Sequence, residues 1–94
     1  HDINPQAPVH VLVIPKGPYV TYDHFAGTAS SGEIVDFTRA VGMVCAQMEV
    51  TPGAGNAGYR IIANNGSDAV QEVPHLHVHV LGGRLLGRML PVFA

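Results

Sequence analysis

The chain reads as an α+β domain, an antiparallel sheet with one long helix packed on a face, and three observations carry that reading. Residues 10–14, 59–63 and 73–81 are short apolar runs, each bounded by turn-forming residues. The stretch after Ser30 repeats apolar residues every three or four positions, the mark of one helical face. The order is then strand, helix, strand, strand, and the short connection between the last two strands favours antiparallel pairing.

Each element follows from its residues. Asn4-Pro5-Gln6-Ala7-Pro8 leaves no room for regular structure, so the chain enters the first strand from a turn. Residues 10–14 are β-branched and apolar after His10, and Pro15 to Pro18 stop them. Residues 22–25 form a helical turn. Ser30 and Glu33 have the spacing of a capping box, in which hydroxyl and carboxylate satisfy orphan backbone donors. Ile34, Phe37, Thr38, Val41, Val44, Cys45 and Met48 then make the buried face, with Asp36, Arg39, Gln47 and Glu49 off it. Cys45 and Met48 fall on this stripe and read as packing. Thr51-Pro52-Gly53 ends the helix and a glycine-rich loop runs to Gly58. Asn64-Asn65-Gly66 closes the second strand, and Gly82-Gly83 the third. Three strands are few for this much apolar surface, so the sheet edges need cover from further strands or a second subunit.

Composition excludes several classes. The 94 residues suit one domain, taken as 1–94. Charged residues are 13% and hydrophobics 47%, so the chain has the apolar surface to offset its ordering entropy. Five scattered Lys/Arg and a net charge of −2 make no basic stripe, which argues against nucleic acid. The longest uncharged apolar stretch near the C-terminus contains three histidines and a proline, unlike a membrane span. A lone cysteine fits a reducing, cytoplasmic setting. The start at His1-Asp2-Ile3, without Met, reads as a piece of a longer product, its N-terminal strands missing.

The sharpest feature is His75-Leu76-His77-Val78-His79. Alternation along a strand puts the three imidazoles on one face about 7 Å apart, twice the ~3.3 Å rise, able to surround a small group such as phosphate. An ordinary solvent face would carry Lys, Glu or Thr instead. Zinc is one chemistry for such a row, but two further ligands are usual and there is neither a Cys pair nor a second His pair. The other is metal-free chemistry at phosphorus, with imidazoles shared out as nucleophile, acid and electrostatic stabiliser. Spacing favours phosphorus over metal.

Residues 75–81 spell His-apolar-His-apolar-His-apolar-apolar, continuing into Gly82-Gly83-Arg84. With His1 to Pro8, His10, Val13-Ile14-Pro15-Lys16, Asn64 and Gly66-Ser67-Asp68, the chain resembles the Hint branch of the histidine triad (HIT) superfamily. The resemblance implies a HIT-like sheet and a purine nucleotide ligand. It further implies hydrolysis of the phosphorus–nitrogen bond of nucleoside phosphoramidates through a nucleotidyl-histidine, without cofactor or metal. Carried over by position, His77 is the nucleophile, His79 contacts phosphate and protonates the leaving amine, and His10 completes the cluster. His75 supports them, its carbonyl holding the far ring nitrogen of His77. Asp2 and Asn64 take the ribose, Ile3 packs on the base, His1 borders the pocket, and Val70, Gln71 and Glu72 form the phosphate-side loop. A homodimer through the long helix and strand 59–64 is also implied, and His24 falls on the surface. A nucleotide-binding interaction protein with vestigial catalysis, or a zinc-dependent hydrolase, stand as alternatives.

Two departures from the family pattern stand in that loop. Ala69-Val70 replace paired glycines before Gln71, which reshapes the pocket there. Glu72 replaces a frequent Ser, and a carboxylate near phosphate favours a cationic leaving amine. The tail after Arg84 also lacks the tryptophan of animal members.

Overall fold

The structure, a computed structural model, describes residues 6–53 and 55–90. The described elements are strand β1 (Val9–Val13), helices α1 (Tyr22–Thr28) and α2 (Ser31–Gln47), strand β2 (Tyr59–Ile62), a short 3-10 turn (Ser67–Ala69) and strand β3 (Val78–Gly82). β3 lies between β1 and β2 and is antiparallel to both. Val80 stands opposite Val11 on one side and Ile61 on the other. This is the expected α+β architecture, with α2 over one sheet face.

Local chemistry accounts for the elements. Thr21 caps α1, which exists to seat Phe25 against Phe37 and Tyr19, ring centroids 5.1 Å from each. The Ser30–Glu33 capping box opens α2 as expected: Glu33 N–H donates to Ser30 Oγ and Ser30 N–H donates to Glu33 Oε1. Glu33 also accepts from Tyr19 O–H through Oε2 at 2.7 Å. That bond, then the contacts to Ser30, hold its carboxyl below the ordinary carboxylate range, and the same bond pushes the Tyr19 phenol up.

The core gathers Val13, Phe25, Phe37, Cys45, Val50, Leu76, Val78 and Val80 between sheet and α2. Ile34, Val41, Val44 and Met48 pack against it from the helix. Thr38 does not: it is exposed, and Ala40 takes a place on the packed face instead. The broad apolar stripe turns toward the smaller side chain.

All three strands differ from expectation at their boundaries: β1 starts one residue early, β2 stops one residue early, and the larger shifts have a visible cause. Ile14 lies beyond β1 and is half-exposed, because Pro15 ends the ladder before it. The third strand begins at Val78 rather than residue 73. Residues 73–75 form a bend, His75 N–H turning back to Val73 C=O at 2.8 Å, while Leu76 N–H donates to Tyr19 C=O at 2.7 Å. Pro74 supplies no donor there. At the other end, a Cβ on Gly82 would meet Val50 Cγ1 at 2.8 Å, and Gly83 turns at φ 87°. Both positions need glycine, which explains where the strand stops.

Candidate active site

The sheet's two faces separate the roles of the residues in β3 and in the two positions leading into it. Leu76, Val78 and Val80 alternate into the core. His77 and His79 stand on the opposite face, where the β1 register brings Leu12 beside His79 and His10 beside Leu81. A cavity of about 400 Å³ opens there, lined by Gln6, His10, Leu12, Asn64, Val70, Gln71, Glu72, Val73, His77 and His79. A larger hollow of about 490 Å³, beside β2 and the C-terminal segment, contains no histidine.

Backbone carbonyls and amides fix the imidazole tautomers, since a carbonyl only accepts and an amide N–H only donates. His77 Nδ1 lies 2.9 Å from His75 C=O, so Nδ1 carries the proton and Nε2 holds the lone pair. Gln6 N–H donates to His10 Nδ1 at 3.0 Å, so neutral His10 carries its proton on Nε2. That nitrogen is 2.8 Å from His79 Nδ1 and donates to it, which puts the His79 proton on Nε2. Ring centroids of His77 and His79 are 5.1 Å apart, those of His10 and His79 5.0 Å. The pair is thus poised as one basic nitrogen beside one N–H donor.

His75 does not join them. Its Nε2 donates to the carbonyls of Pro15 and Gly17, at 3.2 and 3.1 Å, and its side chain is not among those lining the cavity. The equal spacing of three imidazoles fails here because the bend at 73–75 breaks the strand alternation. His75 meets His77 through its backbone carbonyl and anchors its own ring on the 15–17 loop.

Asn64, Val70, Gln71 and Glu72 all reach the cavity. Gln71 ties the loop down: its Oε1 accepts from Gly66 N–H at 2.8 Å and its Nε2 donates to Val20 C=O at 2.7 Å. His1, Asp2 and Ile3 lie outside the described residues. His24 is exposed and accepts from Val20 N–H through Nδ1. Among the described residues, no group of three or more His, Cys, Asp or Glu side chains is placed to hold a metal ion.

Gln6, Leu12 and Val73 also line the cavity, and none of them is a site candidate in the sequence. Leu12 was within reach, because it shares its strand face with His10. Gln6 and Val73 had no such signal. Arg84 extends the arrangement: its guanidinium donates to Gln6 C=O at 2.8 Å, so one chain of contacts runs Arg84, Gln6, His10, His79.

A family model, the HIT domain, matches residues 1–86. The chain belongs to the HIT domain family. It is 59% identical over 92 residues to an uncharacterised 13.2 kDa HIT-like protein of Azospirillum brasilense, spanning 96% of this chain and 70% of that one. It is 38% identical over 92 residues to the purine nucleoside phosphoramidase of Escherichia coli K12, spanning 95% and 71%. The crystal structure of a HIT family hydrolase from Legionella pneumophila Philadelphia 1 superposes with a TM-score of 0.74 at 36% identity, covering 92% of this HIT chain and 72% of that one.

Proposed function

We propose that this HIT protein hydrolyses the phosphorus–nitrogen bond of purine nucleoside phosphoramidates, with His77 as nucleophile. The observation that carries the reading is the 2.9 Å contact of His77 Nδ1 with His75 C=O, which leaves Nε2 as the attacking lone pair. In the first step Nε2 bonds to phosphorus as the P–N bond of the substrate breaks. The departing nitrogen takes the His79 Nε2 proton as solvent water replaces it, so a neutral amine leaves and His79 stays a neutral imidazole. In the second step water attacks phosphorus and its proton returns to solvent along the same path. The bond to His77 breaks, releasing the nucleoside monophosphate. The positive charge on phosphorylated His77 is met by the His75 carbonyl, which accepts from Nδ1–H throughout.

Asp2 and Asn64 hold the ribose and Ile3 the base in this reading, with His1 at the border. A homodimer completes it, formed through α2 and the β2 edge. Tyr59 and Ile61 on β2, and Val35 and Met43 on α2, are exposed apolar residues that support such an interface. Turnover of adenosine 5′-phosphoramidate, followed by AMP release, tests the assignment. His77→Ala abolishes it and a strong chelator leaves it unchanged. Full activity of the variant contradicts the nucleophile, and chelator loss rescued by zinc favours a metalloenzyme instead. Saturable AMP binding without turnover favours an interaction protein.

A further inference from the structure

A short segment outside the cleft ties its two working parts together. Residues 19–22 lead into α1, and none of them lines the cavity. Tyr19 C=O accepts from Leu76 N–H at 2.7 Å, at the position between His75 and His77. Val20 C=O accepts from Gln71 Nε2 at 2.7 Å, and Tyr22 N–H donates to Asn65 Oδ1 at 2.8 Å. One segment therefore grips the lead-in to the histidine strand and also the loop that brings Asn64, Val70, Gln71 and Glu72 to the cleft. Its two holds on that loop stand on either side of the 3-10 turn. The segment is itself anchored: Thr21 caps α1, and Phe25, one turn on, is buried in the core.

The loop is held against its own preference. Val70 adopts φ 57° and ψ 45°, a left-handed conformation that a β-branched residue enters only at a steric cost. Such a conformation persists where the surroundings over-determine it. Packing does not do so here, because the Val70 side chain is 70% exposed. Hydrogen bonds do. Val70 N–H closes the turn on Ser67 C=O, and Gly66 is bonded twice to Gln71, its C=O to the amide N–H and its N–H to Oε1. Gln71 is the joint: Oε1 closes the loop on itself and Nε2 fastens it to Val20.

We propose that residues 19–22 are a brace that sets the phosphate-side loop against His77, with Gln71 and Asn65 as positioning residues for the reaction. This rests on the phosphoramidase reading above. A phosphate seated on the loop meets the His77 lone pair at attacking distance only while the brace holds both parts, and Gln71 acts through the loop rather than on the substrate.

The test is steady-state turnover of adenosine 5′-phosphoramidate by the whole chain, with AMP titrations and thermal melts alongside. Tyr22 is the first residue of α1, where the fixed φ of proline fits and its missing N–H breaks no helical bond. Thr21 before it is already extended, at φ −129° and ψ 166°, as a residue preceding proline prefers. Tyr22→Pro thus deletes the donor to Asn65 and spares the helix, while Tyr22→Ala keeps the donor and loses the ring. Tyr22→Pro lowers kcat about threefold and Gln71→Met about tenfold, short of the hundredfold that a 1 Å misplacement can cost. Asn65→Ala repeats the loss of Tyr22→Pro, and Tyr22→Ala stays near the parent. KM and the Kd for AMP change by less than about twofold throughout, the mark of an interaction realised in the transition state. Unchanged kcat in Tyr22→Pro and Gln71→Met overturns the proposal. A rise in KM alone overturns it by making Gln71 a substrate contact, and an equal loss in Tyr22→Ala by assigning the effect to the ring. A loss in Tyr22→Pro that Asn65→Ala does not share overturns it too. Should Tyr22→Pro fail to fold, Asn65→Ala and Gln71→Met decide on the same criteria. Absence of turnover in the wild type fails the phosphoramidase reading and the proposal with it, whereas turnover that the variants leave unchanged fails the brace alone.

Discussion

The two faces of β3 and of its lead-in at Leu76 and His77 are built from alternate residues, yet they answer to different demands. On the helix side, Leu76, Val78 and Val80 are closed off by α2 and by each other, so the face is specified by shape and apolar volume. On the other side, His77 and His79 border an open cavity and are specified by hydrogen-bond direction. A one-residue slip in register would exchange the two sets, so the buried face also fixes where the imidazoles stand. Packing locates the site, and a few backbone carbonyls and amides set its protonation.

Breaking each face should therefore produce a different loss. The largest effect is expected on the open side. His77→Asn lowers kcat by about a thousandfold or more, of the order seen when a nucleophile is removed, while Tm stays near that of the parent. A collapse of Tm instead would mean that the histidine face is structural. On the closed side, Leu76, only 1% exposed, behaves inversely. Leu76→Ala costs about 2–5 kcal/mol in denaturant unfolding, as buried leucine truncations do. The residual folded fraction keeps its substrate preference.

The contrast sharpens at residues that join the faces to their supports. Arg84→Ala removes the donor to Gln6 C=O, two contacts away from His79. It is expected to lower kcat about tenfold with little change in KM, an effect of lost orientation. The test is a steady-state kcat-against-KM comparison across amines of rising basicity, because a disturbed proton donor shows most with the poorest leaving groups. Arg84→Lys keeps one donor and restores part of the rate.

The smallest effect belongs to the Tyr19 phenol, which bonds to Glu33 on α2 and to none of the residues lining the cavity. Tyr19→Phe frees Glu33 from the bond that holds its carboxyl low. A depressed carboxyl contributes stability above its unfolded pKa and loses it as pH falls through the folded value. The variant is thus slightly less stable than the parent at neutral pH, and the gap closes in acid. The phenol, raised by the same bond, gives the mirror case: its contribution is lost as pH rises through the folded value. Thermal melts at neutral, acidic and strongly alkaline pH check both limbs.

How much of this the sequence carried depends on the range of the interaction. The capping box, the β2 strand and the β3 alternation after Leu76 depend on near neighbours, so residue order was enough to read them. Thr38 was misplaced because the stripe gives period but not the azimuth that the sheet selects. His75 was misread as a third cavity imidazole because its partners, Pro15 and Gly17, lie some sixty residues away. The bend at 73–75 depends on the same long-range docking, Leu76 onto Tyr19. Gln6 entered the site by a backbone amide, a group present in every residue and therefore silent in the sequence. Val70 was noticed as a departure from glycine, but only its φ of 57° shows that valine occupies a position suited to glycine.

Three apolar runs around one periodic helix hold in the structure, with the second and third strands shorter than their runs and a sharper division of labour. The central claim is that the free lone pair on His77 attacks phosphorus. Its most direct measurement is rapid acid- or denaturant-quench of the protein mixed with an adenosine phosphoramidate, followed by intact-mass and peptide mass spectrometry. The account predicts a transient adenylyl adduct on the peptide carrying His77, formed and lost at rates compatible with turnover. Turnover without any adduct, or an adduct that maps to His79 or His10, would contradict it.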